Sequence, residues 1–212
     1  MSTSDEARAA ILARIREARG ARAAASATPP ADGARGPLPP LETDLAARFC
    51  ARAESMQAST DRVADLREVP AAVAAYLREH DLPFEGCVSP EIAALDWNAA
   101  GLALRAGAAR PDDPVGVTTV FAAIAETGTL MLLSGPDTPA TASLLPETHI
   151  AVAPLARIVP YMEDGWDLLR RERGELPRAV NFVSGPSRTA DIDQQIVLGA
   201  HGPYRVHIIL YG

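Results

Sequence analysis

The chain has 212 residues, 48% of them hydrophobic and 22% charged, which suits one sizeable core with a small appendage. A formal net charge of -7 argues against a nucleic-acid partner, since a phosphate backbone selects basic surfaces, but leaves room for a local cationic pocket for a small anion. Two cysteines, Cys50 and Cys87, fall short of the four thiolates an iron–sulfur cluster usually takes, so no cluster, and no other cofactor, is expected on this chain alone.

Residues 1–24 are rich in Ala, Arg and Glu, open with a Thr3–Glu6 capping-box pattern, and predict an N-terminal helix. Its apolar stripe, Ala7, Ile11, Leu12 and Ile15, is narrow. The start lacks the basic-then-apolar layout of a signal peptide, and no run is long enough to span a membrane, so a cytoplasmic location is the expectation. Residues 25–40 carry proline and glycine at a density that reads as a linker. The core domain is expected over residues 41–212.

Within it, Leu45, Phe49, Ala53 and Met56 recur at helical spacing. A second helix is predicted with Pro70 in its first turn, Val73, Tyr76 and Leu77 inward, and Pro83 as its stop. His80 is expected against that helix's last carbonyls. A third helix opens at Pro160, turns Met162, Trp166 and Leu169 inward, and is expected to cap on Gly174. Short apolar runs around Cys87 and at 130–133, 150–153, 180–183 and 206–210 predict strands. Such strands interleaved with helices give an α/β class, with a mostly parallel sheet flanked by helices.

Ligands of open α/β sheets gather at the carboxyl ends of strands, and three polar segments are expected there: Glu126-Thr127-Gly128-Thr129, Glu147-Thr148-His149, and the stretch 184–203. In the last, Ser184-Gly185-Pro186-Ser187 suggests a turn with free backbone N–H groups. Ser187 or Thr189 would cap a short helix containing Asp191 and Gln194, and Arg188 would offer a fork to a carboxylate or phosphate. Gly-Pro steps also simply reverse chains, and an Arg–Asp pair is commonly structural. Glu126 reads either as a catalytic carboxylate or as a cap on neighbouring N–H groups. His149 and His201 have no close-spaced ligand partner, so no metal is expected, and His207 reads as structural.

The segments "AIAETGTLMLLSGP" (123–136), "SLLPETHIAVAPLARIVP" (143–160) and "NFVSGPSRTADIDQQIVLGAHGPYRVHIILYG" (181–212) resemble the lactate utilization protein C family, the LutC/YkgG type with a LUD domain. The resemblance extends over roughly residues 115–212. It implies that residues 41–212 form a LUD-type domain with a NagB/RpiA/CoA transferase-like fold. It also implies a role in oxidising L-lactate to pyruvate beside iron–sulfur partner proteins, with this chain the cluster-free member. Glu126, Thr127, Gly128 and Thr129 match one motif. Ser184, Gly185, Ser187, Arg188, Thr189 and Asp191 match another, which His201 and Gly202 complete, while Val120 departs from the pattern. Glu126 is the candidate acid or base, and the remaining matched residues are candidates to hold a small carboxylate or phosphate. Whether the chain is catalytic by itself stays open: a stand-alone phosphosugar or acyl-CoA enzyme of the same fold group, or a non-catalytic assembly or metabolite-sensing subunit, are the alternatives.

Overall fold

A computed structural model describes residues 4–24, 37–192, 195–199 and 201–212. The chain divides into two compact units, Met1–Pro40 and Leu41–Gly212. The first contains α1 (Ser4–Ala24), whose Ile11, Leu12 and Ile15 are exposed. Its predicted capping residue, Thr3, lies outside the described residues, as does most of the predicted linker.

The second unit begins with α2 (Leu45–Ser55), capped by Asp44, whose carboxylate accepts from Ala47 N at 3.0 Å. There follow β1 (Ser59–Val63), α3 (Val69–Glu79), β2 (Glu85–Val88), β3 (Ala103–Ala106) and β4 (Val115–Thr119). Next come β5 (Ala122–Ile124), β6 (Thr129–Leu133), α4 (Thr141–Leu144), β7 (Thr148–Pro154) and β8 (Ile158–Val159). The chain closes with α5 (Met162–Glu172), β9 (Val180–Val183), β10 (Arg188–Ile192), β11 (Gln195–Leu198) and β12 (Arg205–Tyr211).

Among the described residues, six strands form a parallel sheet in the order β1-β12-β7-β4-β2-β3. The fold is α/β, with helices on both faces. Strand alternation sends successive side chains to opposite sides. Val115, Val117, Ile150, Val152 and Ile209 pack with Val69, Val73 and Leu77 of α3 on one face. Ala151, Ala153, Val206, Ile208 and Leu210 pack on the other with Phe49 and Ala53 of α2 and with Leu130 and Leu132 of β6. Each large aliphatic side chain so buried contributes about 1.5–3 kcal/mol.

A second sheet, β8-β5-β6-β9, lies on the α2 side and turns Ala122, Ile124, Met131 and Leu133 toward Leu169 of α5. The runs 130–133 and 180–183 belong to this sheet, and they pair antiparallel with each other. An apolar run signals burial on both faces, which an antiparallel strand wedged between two layers meets as well as a parallel one.

Three local expectations differ from the structure. The stretch after β9 is no turn–helix corner: β10 and β11 form an antiparallel pair, with Thr189 opposite Val197 and a register slip before Ile192. The β-branched residues Thr189, Ile192, Ile196 and Val197 favour strand over helix. Helix α3 ends at Glu79, ahead of Pro83, because Asp81 turns to a φ of 52°; the His80 ring packs on Tyr76, 4.4 Å between centroids. Helix α5 leaves through Arg173 in extended conformation (φ -120°, ψ 121°), so Gly174 supplies no left-handed cap.

Candidate functional site

The two motifs singled out in the sequence meet at the carboxyl end of α2. Thr127 Oγ1 donates to Thr129 Oγ1 at 2.7 Å, and Thr129 Oγ1 lies 2.7 Å from Ser184 Oγ, so a run of hydroxyls joins the β5–β6 turn to the end of β9. Gly128 adopts a φ of +69°, and a Cβ there would stand 2.3 Å from Ala53 N. Gly185, at +74°, would place its Cβ 2.1 Å from Met56 O. Only glycine permits both the left-handed backbone and this approach to α2. Arg52 Nε donates to the Glu126 carbonyl at 3.3 Å, and Arg188 Nη2 donates to the Met56 carbonyl at 2.6 Å. One donor of the Arg188 fork therefore satisfies a carbonyl at the end of α2, where a cation is also favoured by the helix dipole. The half-buried Glu126 is held through its backbone, its N–H donating to Pro160 O at 3.0 Å; among the described residues its carboxylate has no partner.

Ser187 faces the last part of the motif. Its N–H donates to Pro203 O and its carbonyl accepts from Gly199 N, both at 2.9 Å, and a Cβ on Gly202 would stand 3.2 Å from Ser187 Cβ. His201 is exposed. The backbones of Thr189 and Asp191 run in β10, while their side chains lie outside the described residues, as does Gln194.

The third polar segment stands apart from these. Glu147, Thr148 and His149 occupy the amino end of β7, opposite to the carboxyl end expected for them. A parallel strand fixes which end is which, and a motif preceding the strand's apolar run enters at its amino end. His149 is fully buried, with Nε2 2.8 Å from Thr118 Oγ1 and Nδ1 without a partner. Burial lowers its pKa from the ordinary 6.5 to about 4. His207 projects from the other face of the sheet, stacked on Tyr76 at 3.9 Å with Nδ1 2.8 Å from Ser59 Oγ; burial foremost lowers its pKa to about 4 as well. Among the described residues no three His, Cys, Asp or Glu side chains are placed to hold a metal ion. Cys50 and Cys87 lie on α2 and β2, and burial raises both thiol pKa values, Cys87 to about 11.

Residues at the carboxyl ends of the parallel strands escaped the motif-led reading. Thr119 ends β4, and Glu91 follows β2 in a short 3-10 turn; the signal for both is position at, or within a few residues past, the carboxyl end of a buried strand.

Comparisons with known proteins agree with this architecture. The LUD domain model matches residues 1–211. Lactate utilization protein C of Bacillus subtilis is 39% identical over 99 residues, a stretch spanning 45% of this chain and 41% of that protein. The protein of the same name from an Exiguobacterium strain is 41% identical over 99 residues, covering 43% of its length. The matched stretch thus spans under half the length of these relatives. A solved DUF162 family protein of Deinococcus radiodurans superimposes with a TM-score of 0.62 and 25% identity, over 82% of this chain and 100% of that one. With the sheet order, the motif convergence at α2 and a family match along nearly its whole length, the chain belongs to the LUD domain family.

Proposed function

We propose that this chain serves in lactate utilisation, as the cluster-free component of a system that oxidises L-lactate to pyruvate alongside iron–sulfur proteins. Removing two electrons and two protons from lactate needs an acceptor, and in this reading the iron–sulfur partners take the electrons. The observation that carries it is the meeting of Glu126–Thr129 with Ser184–Arg188 at the end of α2, in a chain whose relatives bear the name lactate utilization protein C. Arg188 keeps donors of its fork beyond the one on Met56 O, and a carboxylate held there gains about 1.5–3 kcal/mol. The unpartnered Glu126 carboxylate is the candidate proton acceptor.

Complementation tests the reading. In a strain that lacks its own lactate-oxidising component of this kind, the chain is expected to restore growth on L-lactate. Glu126→Gln is expected to abolish that growth with the protein still folded, and Arg188→Lys to restore part of what Arg188→Ala loses. Failure of the unmodified chain to support growth, or full growth with Glu126→Gln, would overturn it. Co-purification with iron-containing proteins reports on the partners.

A further inference from the structure

At the carboxyl ends of β4, β7 and β12 the surface opens into a cavity of about 190 Å³, walled by Phe121, Val152 and Pro154 and edged by Thr119, Arg157 and Tyr211. An adjoining cavity of about 220 Å³ runs along the loop 134–138. Glu91, Leu133, Thr138 and Arg173 line both, so the two are lobes of one cleft. None of the residues of the Glu126–Arg188 locus takes part in either lobe.

The polar groups of this cleft are unequally occupied. Arg157 is committed, with Nη1 at 2.7 and 2.8 Å from the two Glu172 oxygens and its guanidinium 5.3 Å from the centre of the Phe121 ring. Arg173, at the end of α5, makes no side-chain hydrogen bond or ion pair among the described residues. Thr119 Oγ1 donates to Glu91 Oε2, and among the described residues Glu91 Oε1 has no partner. Thr138 is anchored by its hydroxyl on Leu133 O at 2.7 Å. A crevice of about 10 Å³, room for a single water, shares Thr119, Leu133 and Thr138 with the cleft and reaches Ser89. Ser89 is 1% exposed and its Oγ has no partner. A buried hydroxyl without a partner is destabilising unless water or a ligand meets it.

We propose that this cleft binds a small hydroxy acid, its carboxylate on Arg173, its hydroxyl on Glu91, and its short carbon body against Phe121, Val152 and Leu133. The charges set the class. One uncommitted cation favours a single negative charge, while Asp137 and Glu175 in the second lobe repel a dianion such as phosphate. Glu91, an acceptor, favours a ligand that brings a hydroxyl over one that ends in a methyl group or a keto oxygen. Lactate is one member of this class, but the site is separate from the Glu126–Arg188 locus and its assignment rests on the cleft alone.

Calorimetric titration of the full chain tests it, with L-lactate, glycolate, propionate, pyruvate and inorganic phosphate as probes. L-Lactate and glycolate are expected to bind at least tenfold tighter than propionate, pyruvate or phosphate. Arg173→Ala is expected to weaken lactate tenfold or more, Arg173→Lys to recover part of the loss, and Glu91→Gln to reduce the preference for lactate over propionate. Circular dichroism establishes that each variant is folded; Arg173 is exposed, so its replacement leaves the core intact. Absence of binding by every acid, indifference to Arg173→Ala, or loss of lactate binding on Arg188→Ala alone would overturn the assignment. Growth on lactate is scored separately: binding that depends on Arg173, in a chain that fails to restore growth on L-lactate, retains the cleft and rejects the pathway reading.

Discussion

Gly128 and Gly185 hold φ near +70° against the backbone of α2, whereas Gly101 holds φ of +81° with nothing within 4 Å of its absent Cβ. An alanine at Gly101 therefore meets backbone strain alone, about 1–2 kcal/mol. At Gly128 or Gly185 it must also displace Ala53 or Met56, and the expected loss is about 2–4 kcal/mol. Urea unfolding of the three Gly→Ala variants measures the difference; equal losses would mean that close approach to α2 is not what these two glycines supply. Their presence was legible in the sequence as motif glycines, but the reason for them was not. The helix they admit lies more than seventy residues upstream of Gly128, and no local spacing encodes that contact.

At the scale of elements, the carbonyl just past the end of α2 is satisfied from a distance, Arg188 reaching Met56 O. Arg188→Ala is expected to destabilise by about 1 kcal/mol and to speed amide exchange in the last turn of α2. Exchange that quickens only around β10 and β11 would place the role of Arg188 in the hairpin instead. Helix α1 belongs to the other compact unit and exposes Ile11, Leu12 and Ile15. A chain beginning at Leu41 is accordingly expected to melt within ~2 °C of the full chain, since little apolar burial is removed; a clear drop would assign α1 a share in the core. Helix positions were readable because periodicity marks a buried stripe. Strand β1 was not, because Ser59–Val63 is a polar edge strand held by its pairing with β12.

For the molecule as a whole, His149 and His207 occupy opposite faces of the parallel sheet, each lowered from 6.5 to about 4 mainly by burial. The folded protein keeps both neutral in a range where the unfolded chain takes up protons. Their contribution is complete above pH 6.5 and is lost as pH falls from there to about 4, by up to roughly 3 kcal/mol for each. Urea midpoints between pH 7.5 and 4.5 check this, and His149→Gln together with His207→Gln is expected to flatten the profile. An unchanged profile in the double variant would assign the acid sensitivity to carboxylates.

The sequence by itself determined the α/β class, the apolar strands, the main helices and the family, because burial on one stripe or on alternate positions leaves a local period and because the motifs are contiguous. Tertiary structure alone decided which runs joined the parallel sheet and which the second, mixed one, since both bury two faces. It alone brought Gly128, Gly185 and Arg188 to one end of α2. It also gathered Glu91, Thr138 and Arg173 around one cleft: Glu91 follows β2 of the parallel sheet, Thr138 follows β6 of the second sheet and Arg173 ends α5, and only the packing of the two sheets carries such positions to the same edge.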